Sequence, residues 1–317
     1  MAIFDLSGRR IWIAGHRGMV GSALVRRLQR EPVTLLTADR AALDLRRQAD
    51  VEAWVGENKP EVIVIAAAKV GGIKANDAYP VDFLYDNLAI QTNILRAAAE
   101  QGVARVMVLG SSCVYPKHAE QPIREETLLT APLEPTNQWY ALAKISAMKL
   151  AESYRRQHGL DFISIVPTNL YGPGDNFDLE QSHVISALMR KIHEAKRAGR
   201  DIVEIWGTGS PRREFVFVED AADGLVFLLR HYADGAPINL ADGEEVSIRQ
   251  LATLLAEIIG YQGRFDYQTD RPDGMPRKLL DASRITALGW RPTTGLRAGL
   301  TATYHWFVST GDSADRV

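Results

Sequence analysis

The chain of 317 residues contains one cysteine, Cys113, and no apolar run long enough to span a bilayer. One cysteine excludes an internal disulfide, which fits a reducing compartment. No signal-peptide pattern precedes the first predicted strand, and no repeat or low-complexity segment is found. We therefore expect a cytoplasmic protein that does not associate with membranes.

The sequence also lacks an excess of either charge. The 37 Lys and Arg residues are balanced by 39 Asp and Glu residues, for a net charge of −2. The basic residues are scattered rather than clustered, so we expect no nucleic-acid partner. We also expect no bound metal. With 46% hydrophobic residues the composition is that of a globular protein, and the length fits one large domain or two interlocked ones.

Short apolar strands alternate with helices along the first part of the chain, and this alternation is typical of a parallel sheet. The predicted strands are residues 10–14, 33–37, 61–68, 104–109 and 161–166. The predicted helices are residues 22–30, 50–58, 83–101, 137–158 and 182–197, the last capped by Ser182. We predict an α/β fold, a doubly wound and mostly parallel Rossmann sheet with a smaller α/β substrate-binding lobe.

A turn-rich segment, residues 167–174, marks the crossing into the second lobe. Residues 215–231 indicate one more strand and helix that return to the main sheet. Residues 238–240 and 248–259 indicate a strand and a helix of the smaller lobe. The predicted division is a Rossmann domain of residues 1–168 and 215–236, and a smaller lobe of residues 169–214 and 237–317.

Gly15, Gly18 and Gly21 follow the first strand and precede a helix. Glycines at these positions permit a tight turn, let backbone N–H groups approach a pyrophosphate, and let the helix pack close to the sheet. The N-terminus of the helix adds partial positive charge. Glycines alone are also common in ordinary turns, but the order of strand, turn and helix predicts dinucleotide binding.

The end of the second strand carries two residue types that distinguish dinucleotides. Asp39 is typical of NAD sites, whereas Arg40 is typical of NADP sites. Arg17, within the glycine turn, adds a second cation near the expected 2′-phosphate of NADP. Either arginine alone is also compatible with a solvated surface charge, but the two together favour NADP(H).

Chemistry-bearing side chains follow the strand at residues 104–109, where residues 110–113 offer two hydroxyls and the thiol of the chain. Open parallel sheets bind ligands just outside the carboxyl ends of their strands. Further along, Tyr140 and Lys144 are four residues apart and so share one face of a helix. Taken singly, these features also fit a Gly-Ser turn with an inert thiol and a chance Tyr/Lys pair. Together they predict an active site.

The glycine turn, the strand-end Ser111 and the Tyr140/Lys144 pair resemble those of the extended short-chain dehydrogenases/reductases. More narrowly, residues 10–307 resemble the GDP-L-fucose synthase family. The segments that carry this resemblance are residues 14–21, 66–73, 110–116, 167–173 and 276–281. The glycine turn and the Tyr/Lys pair mark only the superfamily, whereas the Ser-Ser-Cys run and the Arg-Lys-Leu-Leu-Asp loop are much more specific.

The resemblance implies a two-stage reaction on GDP-4-keto-6-deoxy-D-mannose. The sugar is epimerised at C3 and C5, and NADPH then reduces the C4 ketone to give GDP-L-fucose. The resemblance also implies a homodimer built from the helices that contain Phe83 and Tyr140.

Five catalytic residues are implied as well. Tyr140 and Ser111 hold the C4 oxygen while enolate charge develops, and Lys144 lowers the pKa of Tyr140 and holds the nicotinamide ribose. Cys113 is the base of the epimerisation and His183, across the cleft, is the acid. Without this context, a lone cysteine is more often an inert packing residue, and a lone histidine at a helix start is more often a cap or a surface residue.

The binding residues that we predict form two sets. The dinucleotide set comprises Gly15, His16, Arg17, Gly18, Met19, Val20, Gly21, Arg40, Asp44, Leu45, Ala67, Leu109, Gly110, Ser112, Tyr140, Lys144, Pro167, Asn169, Leu170 and His183. The GDP-sugar set comprises Ser111, Ser112, Cys113, Asn169, Lys191, Trp206, Arg213, Asp273 and Lys278. Within the second set, Arg213 and Lys278 suit a diphosphate, and Trp206 either stacks on guanine or fills the core.

Two other interpretations stay open. The nearer one is a 4-epimerase or a 4,6-dehydratase of the same superfamily. However, Ser112 and Cys113 stand where such dehydratases carry a carboxylate pair, and a simple 4-epimerase needs no Cys/His pair. The other is a nucleotide sensor without catalysis, which the intact Ser111, Tyr140 and Lys144 disfavour.

Overall fold

The computed structural model describes residues 4–179, 182–271 and 273–310. Its helices are α1 (Met19–Leu28), α2 (Gln48–Asn58), α3 (Ile73–Ala78), α4 (Pro80–Glu100), α5 (Gln138–His158), α6 (Val184–Arg197), α7 (Val218–His231), α8 (Ile248–Ile259), α9 (Ser283–Leu288) and α10 (Leu296–Ser309). Its strands are β1 (Arg10–Ala14), β2 (Thr34–Leu36), β3 (Val62–Ile65), β4 (Arg105–Leu109), β5 (Phe162–Pro167), β6 (Asn169–Tyr171), β7 (Ile202–Trp206), β8 (Arg212–Arg213), β9 (Phe215–Phe217), β10 (Ile238–Leu240), β11 (Val246–Ser247), β12 (Arg264–Gln268) and β13 (Arg277–Lys278). No helix in the described ranges has the length and apolar character needed to cross a bilayer.

Six strands form the main sheet in the order β10-β5-β4-β3-β1-β2, and every neighbouring pair is parallel. From β1 the chain first adds β2 on one side and then β3 on the other, so the strand order reverses between β1 and β3. Open sheets of this kind bind ligands at that switch point, outside the carboxyl ends of the strands. The predicted doubly wound Rossmann sheet is confirmed.

Helices cover both faces of this sheet, which explains why its strands are so apolar. In β1, Ile11 and Ile13 pack in one core with α1 and α7, whereas Trp12 and Ala14 pack in another with α2, α4 and α5. Successive side chains of a strand point to opposite faces. A strand between two layers of helices therefore needs apolar residues at every position, as in β3, where all residues are buried.

Two strands take places that differ from the prediction. β9 pairs with β6 in a separate parallel sheet and does not join the main one, although the following helix α7 packs against α1. β10 forms the edge of the main sheet beside β5, so the assignment of residues 238–240 to the smaller lobe is wrong. Both strands have only three residues, and periodicity within so short a segment does not indicate which strand it will pair with.

A third hydrophobic core lies among α6, α8 and α10, with Met189, Leu255 and Leu300 at its centre. Around it β7 pairs with β12, and β8 lies between β11 and β13. α8 begins with a capping box in which Ser247 and Gln250 exchange side-chain and backbone hydrogen bonds. This core belongs to the predicted smaller lobe, whose bounds stay a prediction.

Some helix boundaries also differ from the prediction. α1 begins earlier, at Met19, directly after the glycine turn. α6 begins at Val184 with His183 in the N-cap position and no side-chain cap, so the prediction that Ser182 caps this helix is wrong. β12, α9 and α10 are further elements that the sequence pattern had not indicated.

Candidate active site

The glycine turn after β1 is shaped by two close approaches of the backbone. Gly15 has a φ of +89°, and a Cβ on it would lie 2.6 Å from the Cα of Ala67, in the loop after β3. A Cβ on Gly21 would lie 2.1 Å from the carbonyl oxygen of Gly15. Any other residue at either position would displace the backbone, so glycine is what lets the turn fit at the switch point.

The N-terminus of α1 is open to a ligand. Gly18 occupies the N-cap position and has no side chain that could cap the helix. The first hydrogen bond of the helix runs from the amide of Ser22 to the carbonyl oxygen of Gly18, at 2.8 Å. The preceding N–H groups, those of Met19 and Val20 among them, have no acceptor within the helix. Open N–H groups and the helix dipole suit an anion, so this turn fits the pyrophosphate of a dinucleotide.

Asp39 connects the end of β2 with the glycine turn. One oxygen of its carboxylate lies 2.7 Å from Arg17 Nε and 3.2 Å from His16 Nε2, and the other lies 2.8 Å from a terminal nitrogen of Arg17. The Arg17 side chain is 75% exposed, so solvent screens this ion pair and little free energy is needed to break it. The acid typical of NAD sites thus neutralises one of the two arginines typical of NADP sites.

Asp44 and Leu45 lie in the loop that follows Arg40. The guanidinium of Arg46 hydrogen-bonds Asp44 at 3.0 Å and holds the pKa of that carboxyl at about 2. The carbonyl oxygen of Leu45 accepts a hydrogen bond of 3.0 Å from Asn93 Nδ2 on α4. These contacts fix the loop on the adenosine side of the predicted cofactor site.

A 3-10 turn at residues 112–114 follows β4 and places the thiol of Cys113 against the hydroxyl of Ser111. Both side chains stand at the carboxyl end of a central strand, where the sequence predicted them. Cys113 is buried, and Ser112 beside it is buried too.

α5 packs beside this turn and brings Tyr140 and Lys144 to it. Lys144 Nζ donates a hydrogen bond of 2.7 Å to the carbonyl oxygen of Leu109 and lies 5.7 Å from the centre of the Tyr140 ring. The edge of the Phe83 ring on α4 packs against Tyr140 at 6.4 Å between ring centres. The structure therefore brings Tyr140 and Lys144 to the Ser111/Cys113 turn.

Burial dominates the electrostatics of the Tyr/Lys pair. It lowers the pKa of Lys144 to about 8, opposed by the neighbouring Cys113, and it raises the pKa of Tyr140 above its usual value. Desolvation of the phenolate is the largest effect on the pKa of Tyr140, and the lowering that we expected from Lys144 stays a prediction. At neutral pH Tyr140 carries its proton, and most Lys144 side chains are charged.

The thiol of Cys113 is subject to two opposing effects. Burial raises its pKa, while the charges of Lys278 and Lys144 and the hydrogen bond with Ser111 lower it. The positive surroundings that a thiolate needs are present, but desolvation is the larger effect, so the protonated thiol is favoured. Cys113 is thus held close to cations without being fully ionised.

Arg213 and Lys278 stand side by side because β8 and β13 are parallel and pair these two residues in register. Burial lowers the pKa of both groups, and the charge of Arg213 lowers that of Lys278 further. Two partly buried like charges are unfavourable next to each other unless an anion joins them. Strand pairing thus brings together two cations 65 residues apart in the sequence, and they form a candidate anion site in which the Lys278 charge acts on Cys113.

Trp206 ends β7 with half of its surface exposed, and the Arg271 guanidinium lies 5.5 Å above its ring. It does not fill a core, which leaves stacking as its predicted role. Asp273 closes the neighbouring loop, since its carboxylate accepts from the backbone amide of Thr208 at 2.7 Å and from the Thr208 hydroxyl at 2.8 Å. Gly207, between Trp206 and Thr208, has a φ of +77°, and a Cβ on it would lie 2.2 Å from a carboxylate oxygen of Asp273.

His183 is exposed at the N-cap of α6, the helix that also carries Lys191. Its charge acts on Asp175, whose carboxylate also accepts a hydrogen bond from the Ser186 hydroxyl. Burial raises the pKa of Asp175 and His183 opposes that shift. The structure thus places His183 with Asp175, whereas the charges that act on Cys113 come from Lys278 and Lys144.

The remaining predicted residues line the ends of β4, β5 and β6. Gly110 donates its amide to the carbonyl of Ile165 at 2.7 Å. Pro167 ends β5 beside Leu240 of β10. Leu170 packs against the core that contains Ile11 and Ile13 of β1. Asn169 Nδ2 donates to the backbone carbonyl oxygen of Glu214 at 2.8 Å.

Sequence reasoning missed two buried polar residues that organise the site. Asn87 on α4 accepts from the amide of Lys69 at 2.8 Å and donates to its carbonyl at 3.0 Å, which fixes the loop after β3. Glu214 is completely buried beside Arg213. The sequence carried no clear signal for either residue, because Asn87 lies in a helix with several other polar residues and Glu214 directly follows two arginines.

Three comparisons with known proteins agree with this geometry. The model of the NAD dependent epimerase/dehydratase family matches residues 11–241. The chain is 52% identical to a GDP-L-fucose synthase of Sinorhizobium fredii over 98% of each chain. It is 54% identical to GDP-L-fucose synthase 1 of Arabidopsis thaliana over 94% of this chain and 93% of that one.

A solved structure extends the likeness to three dimensions. The structure of a GDP-L-fucose synthetase from Naegleria fowleri bound to NADP superimposes with a TM-score of 0.91 at 27% sequence identity. It covers 98% of this chain and 97% of its own. The likeness therefore includes both the main sheet and the region around the third hydrophobic core.

Proposed function

The chain belongs to the NAD-dependent epimerase/dehydratase family and, within it, to the GDP-L-fucose synthases, and from this premise we propose its reaction. It epimerises GDP-4-keto-6-deoxy-D-mannose at C3 and C5 and then reduces the C4 ketone with NADPH to GDP-L-fucose. The observation that carries the proposal is the thiol of Cys113 at the Ser111 turn, acted on by the charges of both Lys144 and Lys278. A Tyr/Lys reductase site and an anion site meet at this one cysteine.

NADP(H) is the cofactor. The glycine turn and the open N-terminus of α1 would hold its pyrophosphate, and Lys144 would hold the ribose beside the nicotinamide. When bound, NADPH supplies a hydride. The chain's own contribution is to position the sugar ketone and to move protons, and the residues around Cys113 and Tyr140 suit both tasks.

Epimerisation begins with the acidity of the hydrogens on C3 and C5, which the C4 ketone creates. Cys113 removes such a proton, and charge develops on the C4 oxygen. The Ser111 and Tyr140 hydroxyls donate hydrogen bonds to that oxygen and stabilise the enolate. His183 returns a proton from the opposite face, which inverts the carbon. In this assignment Cys113 and His183 approach each other only across bound substrate.

Reduction then uses the same oxygen contacts. Because burial keeps Tyr140 protonated, its hydroxyl is available as the acid that protonates the C4 oxygen when hydride arrives. The charge of Lys144 offsets the phenolate that this transfer leaves behind. A raised pKa therefore suits Tyr140 for the second stage.

The GDP moiety is bound by the second set of residues. The diphosphate lies on Arg213 and Lys278, whose partly buried like charges stand side by side on β8 and β13. Trp206 stacks on the guanine, while Asp273 holds the adjoining loop. Lys191 and Asn169 complete the predicted set.

The two regions divide this work. Residues 1–168 and 215–236 form the NADP-binding domain, to which β10 also belongs by its pairing. Residues 169–214 and 237–317, apart from β10, form the GDP-sugar-binding lobe. The catalytic turn at Ser111 lies in the first region, and the cations of β8 and β13 lie in the second.

Product analysis in deuterated water tests the proposed function. Purified protein, GDP-4-keto-6-deoxy-D-mannose and NADPH should give GDP-L-fucose with deuterium at C3 and C5 by NMR. A product without inversion would support a simple C4 reductase, and loss of water would support a dehydratase. Absence of NADPH consumption would support a nucleotide sensor instead.

Cofactor preference is tested at the adenosine end. Replacing Arg17 and Arg40 together by alanine should raise the KM for NADPH by about 10- to 100-fold and that for NADH far less, since charge-assisted hydrogen bonds to the 2′-phosphate are lost. Asp39 would then be unneutralised and would repel the phosphate further. Initial-rate kinetics with both cofactors measure this. Arg30→Ala, exposed after the other end of α1, is the control. Equal effects on both cofactors would contradict the assignment.

The protein assembles as a homodimer through α4 and α5. These helices pack against each other and expose Val81 (73%), Tyr85 (65%) and Leu142 (36%). Exposed apolar residues on two adjacent helices favour a self-complementary contact with a second copy. Val81→Arg with Tyr85→Arg should convert dimers to monomers in sedimentation velocity. Val308→Arg, at an apolar residue 51% exposed on α10, should not. A monomeric parent protein would refute the dimer.

We place the reaction in the cytoplasm. The single cysteine is compatible with a reducing compartment, and the proposed chemistry needs it as a free thiol. Cell fractionation with an antibody to the protein would test this, and recovery in an oxidising compartment would contradict it.

A further inference from the structure

Glu214, between β8 and β9, is completely buried and accepts three backbone hydrogen bonds. One carboxylate oxygen accepts from the amides of Asp242 and Gly243, each at 2.7 Å. The other accepts from the amide of Leu280 at 3.1 Å. Burial raises the pKa of Glu214 and these hydrogen bonds oppose the shift.

The three amides belong to two separate parts of the fold. Asp242 and Gly243 follow β10, the edge strand of the main sheet. Leu280 lies two residues after Lys278, whose strand β13 pairs with β8 so that Lys278 stands beside Arg213. One side chain therefore ties the main sheet to both strands of the anion site.

This arrangement is not one that a stable core requires. A buried carboxyl group held by backbone amides, rather than by a cation, is costly to desolvate. Its three acceptor contacts are directional, and they specify the positions of the three backbone segments to within a hydrogen-bond length. An apolar residue of the same size would fill the space without that specification.

We propose that Glu214 is a positioning residue that holds Lys278 near Cys113 and Arg213 beside Lys278. It touches neither substrate nor cofactor. Through its hydrogen bond with the amide of Leu280 it fixes the position of Lys278 relative to Cys113. Because it directly follows Arg213 in the chain, it also fixes the position of Arg213. The consequence for binding the GDP-sugar rests on the proposed function, whereas the consequence for the thiol does not.

Glu214→Gln tests the proposal with a side chain of nearly the same shape. The amide can still accept from Asp242 and Gly243, but its NH2 group then faces the amide of Leu280, donor against donor. We expect the dissociation constant for GDP, measured by calorimetry, to rise about tenfold or more, and that for NADP⁺ to change less than about twofold. A purely structural role would weaken both ligands together.

The single thiol supplies a second readout that needs no ligand. The rate of Cys113 alkylation by iodoacetamide against pH reports its ionisation. Displacing Lys278 removes a charge that lowers the pKa of Cys113, so the midpoint should move to higher pH. Loss of the negative charge of Glu214 alone would move the midpoint the opposite way, so the direction of the shift separates the two causes.

Asp220→Asn is the matched control. Asp220 is a buried carboxylate on α7 that accepts from the amide of Thr294 at 2.9 Å and contacts neither β8 nor β13 through its hydrogen bonds. It should lower the unfolding temperature and leave GDP affinity and the Cys113 profile unchanged. If Glu214→Gln does not fold, Glu214→Asp, which withdraws the carboxylate by one methylene, takes its place.

The outcomes separate the two hypotheses. A parent protein that binds no GDP contradicts the proposed function, and the thiol profile then decides on Glu214 alone. A parent that binds GDP, together with a Glu214→Gln variant that keeps both its GDP affinity and its thiol profile, overturns the positioning role.

Discussion

Tyr140→Phe is expected to slow hydride transfer by about 10²–10⁴-fold, the contribution of one positioned proton donor. The phenol of Tyr140 can act as the acid for the C4 oxygen, because burial keeps it protonated at neutral pH. Phenylalanine keeps the ring that packs against Phe83, so the shape of the site is preserved. Single-turnover oxidation of NADPH, followed by absorbance, measures the effect.

The same variant should leave folding and GDP affinity unchanged, because Arg213 and Lys278 lie on other elements. Tyr154→Phe is the matched control, since Tyr154 lies on the same helix but packs against Phe162. It should oxidise NADPH at the parent rate. A Tyr140→Phe variant with near-parent oxidation would remove Tyr140 from the proposed mechanism.

Cys113→Ser is expected to abolish deuterium exchange from solvent into C3 and C5 while reduction persists. Serine fills nearly the same space but is a much weaker base, and Tyr140 and Lys144 stay in place. The variant should therefore reduce the unepimerised ketone slowly and give a 6-deoxy sugar of the original D series. NMR of the product in deuterated water identifies both the isotope pattern and the configuration.

The pH dependence of exchange in the parent protein follows from the same residue. Burial raises the pKa of Cys113, so only a minor fraction is thiolate at neutral pH. Raising the pH increases that fraction, and exchange should accelerate until the thiol is fully ionised. Lys278 and Lys144 favour the thiolate, so loss of charge from Lys144 at higher pH works against this rise.

His183→Gln separates the two halves of the epimerisation. It removes the acid but not the base, so some exchange should persist without inversion, in contrast to Cys113→Ser. If Cys113→Ser still exchanges both positions at the parent rate, the base lies elsewhere and Cys113 is a packed thiol at the end of β4.

The sequence alone determined those features that depend on neighbours along the chain. The order of strand, Gly15 turn and helix indicates dinucleotide binding because a few adjacent residues settle the local geometry. Tyr140 and Lys144 share a helix face for the same reason. The predicted bounds of β1 and α8 agree with the structure because each is a short segment with one clear periodicity.

Only the tertiary structure decided which distant segments meet. β10 rather than β9 forms the edge of the main sheet, because pairing depends on how the intervening helix packs and not on the apolar residues of either strand. The register of β8 with β13 places Arg213 beside Lys278, whose charge acts on Cys113. Burial then raises the pKa of Tyr140, against the effect expected from Lys144 alone, because desolvation depends on everything packed around a group and not on its sequence neighbours.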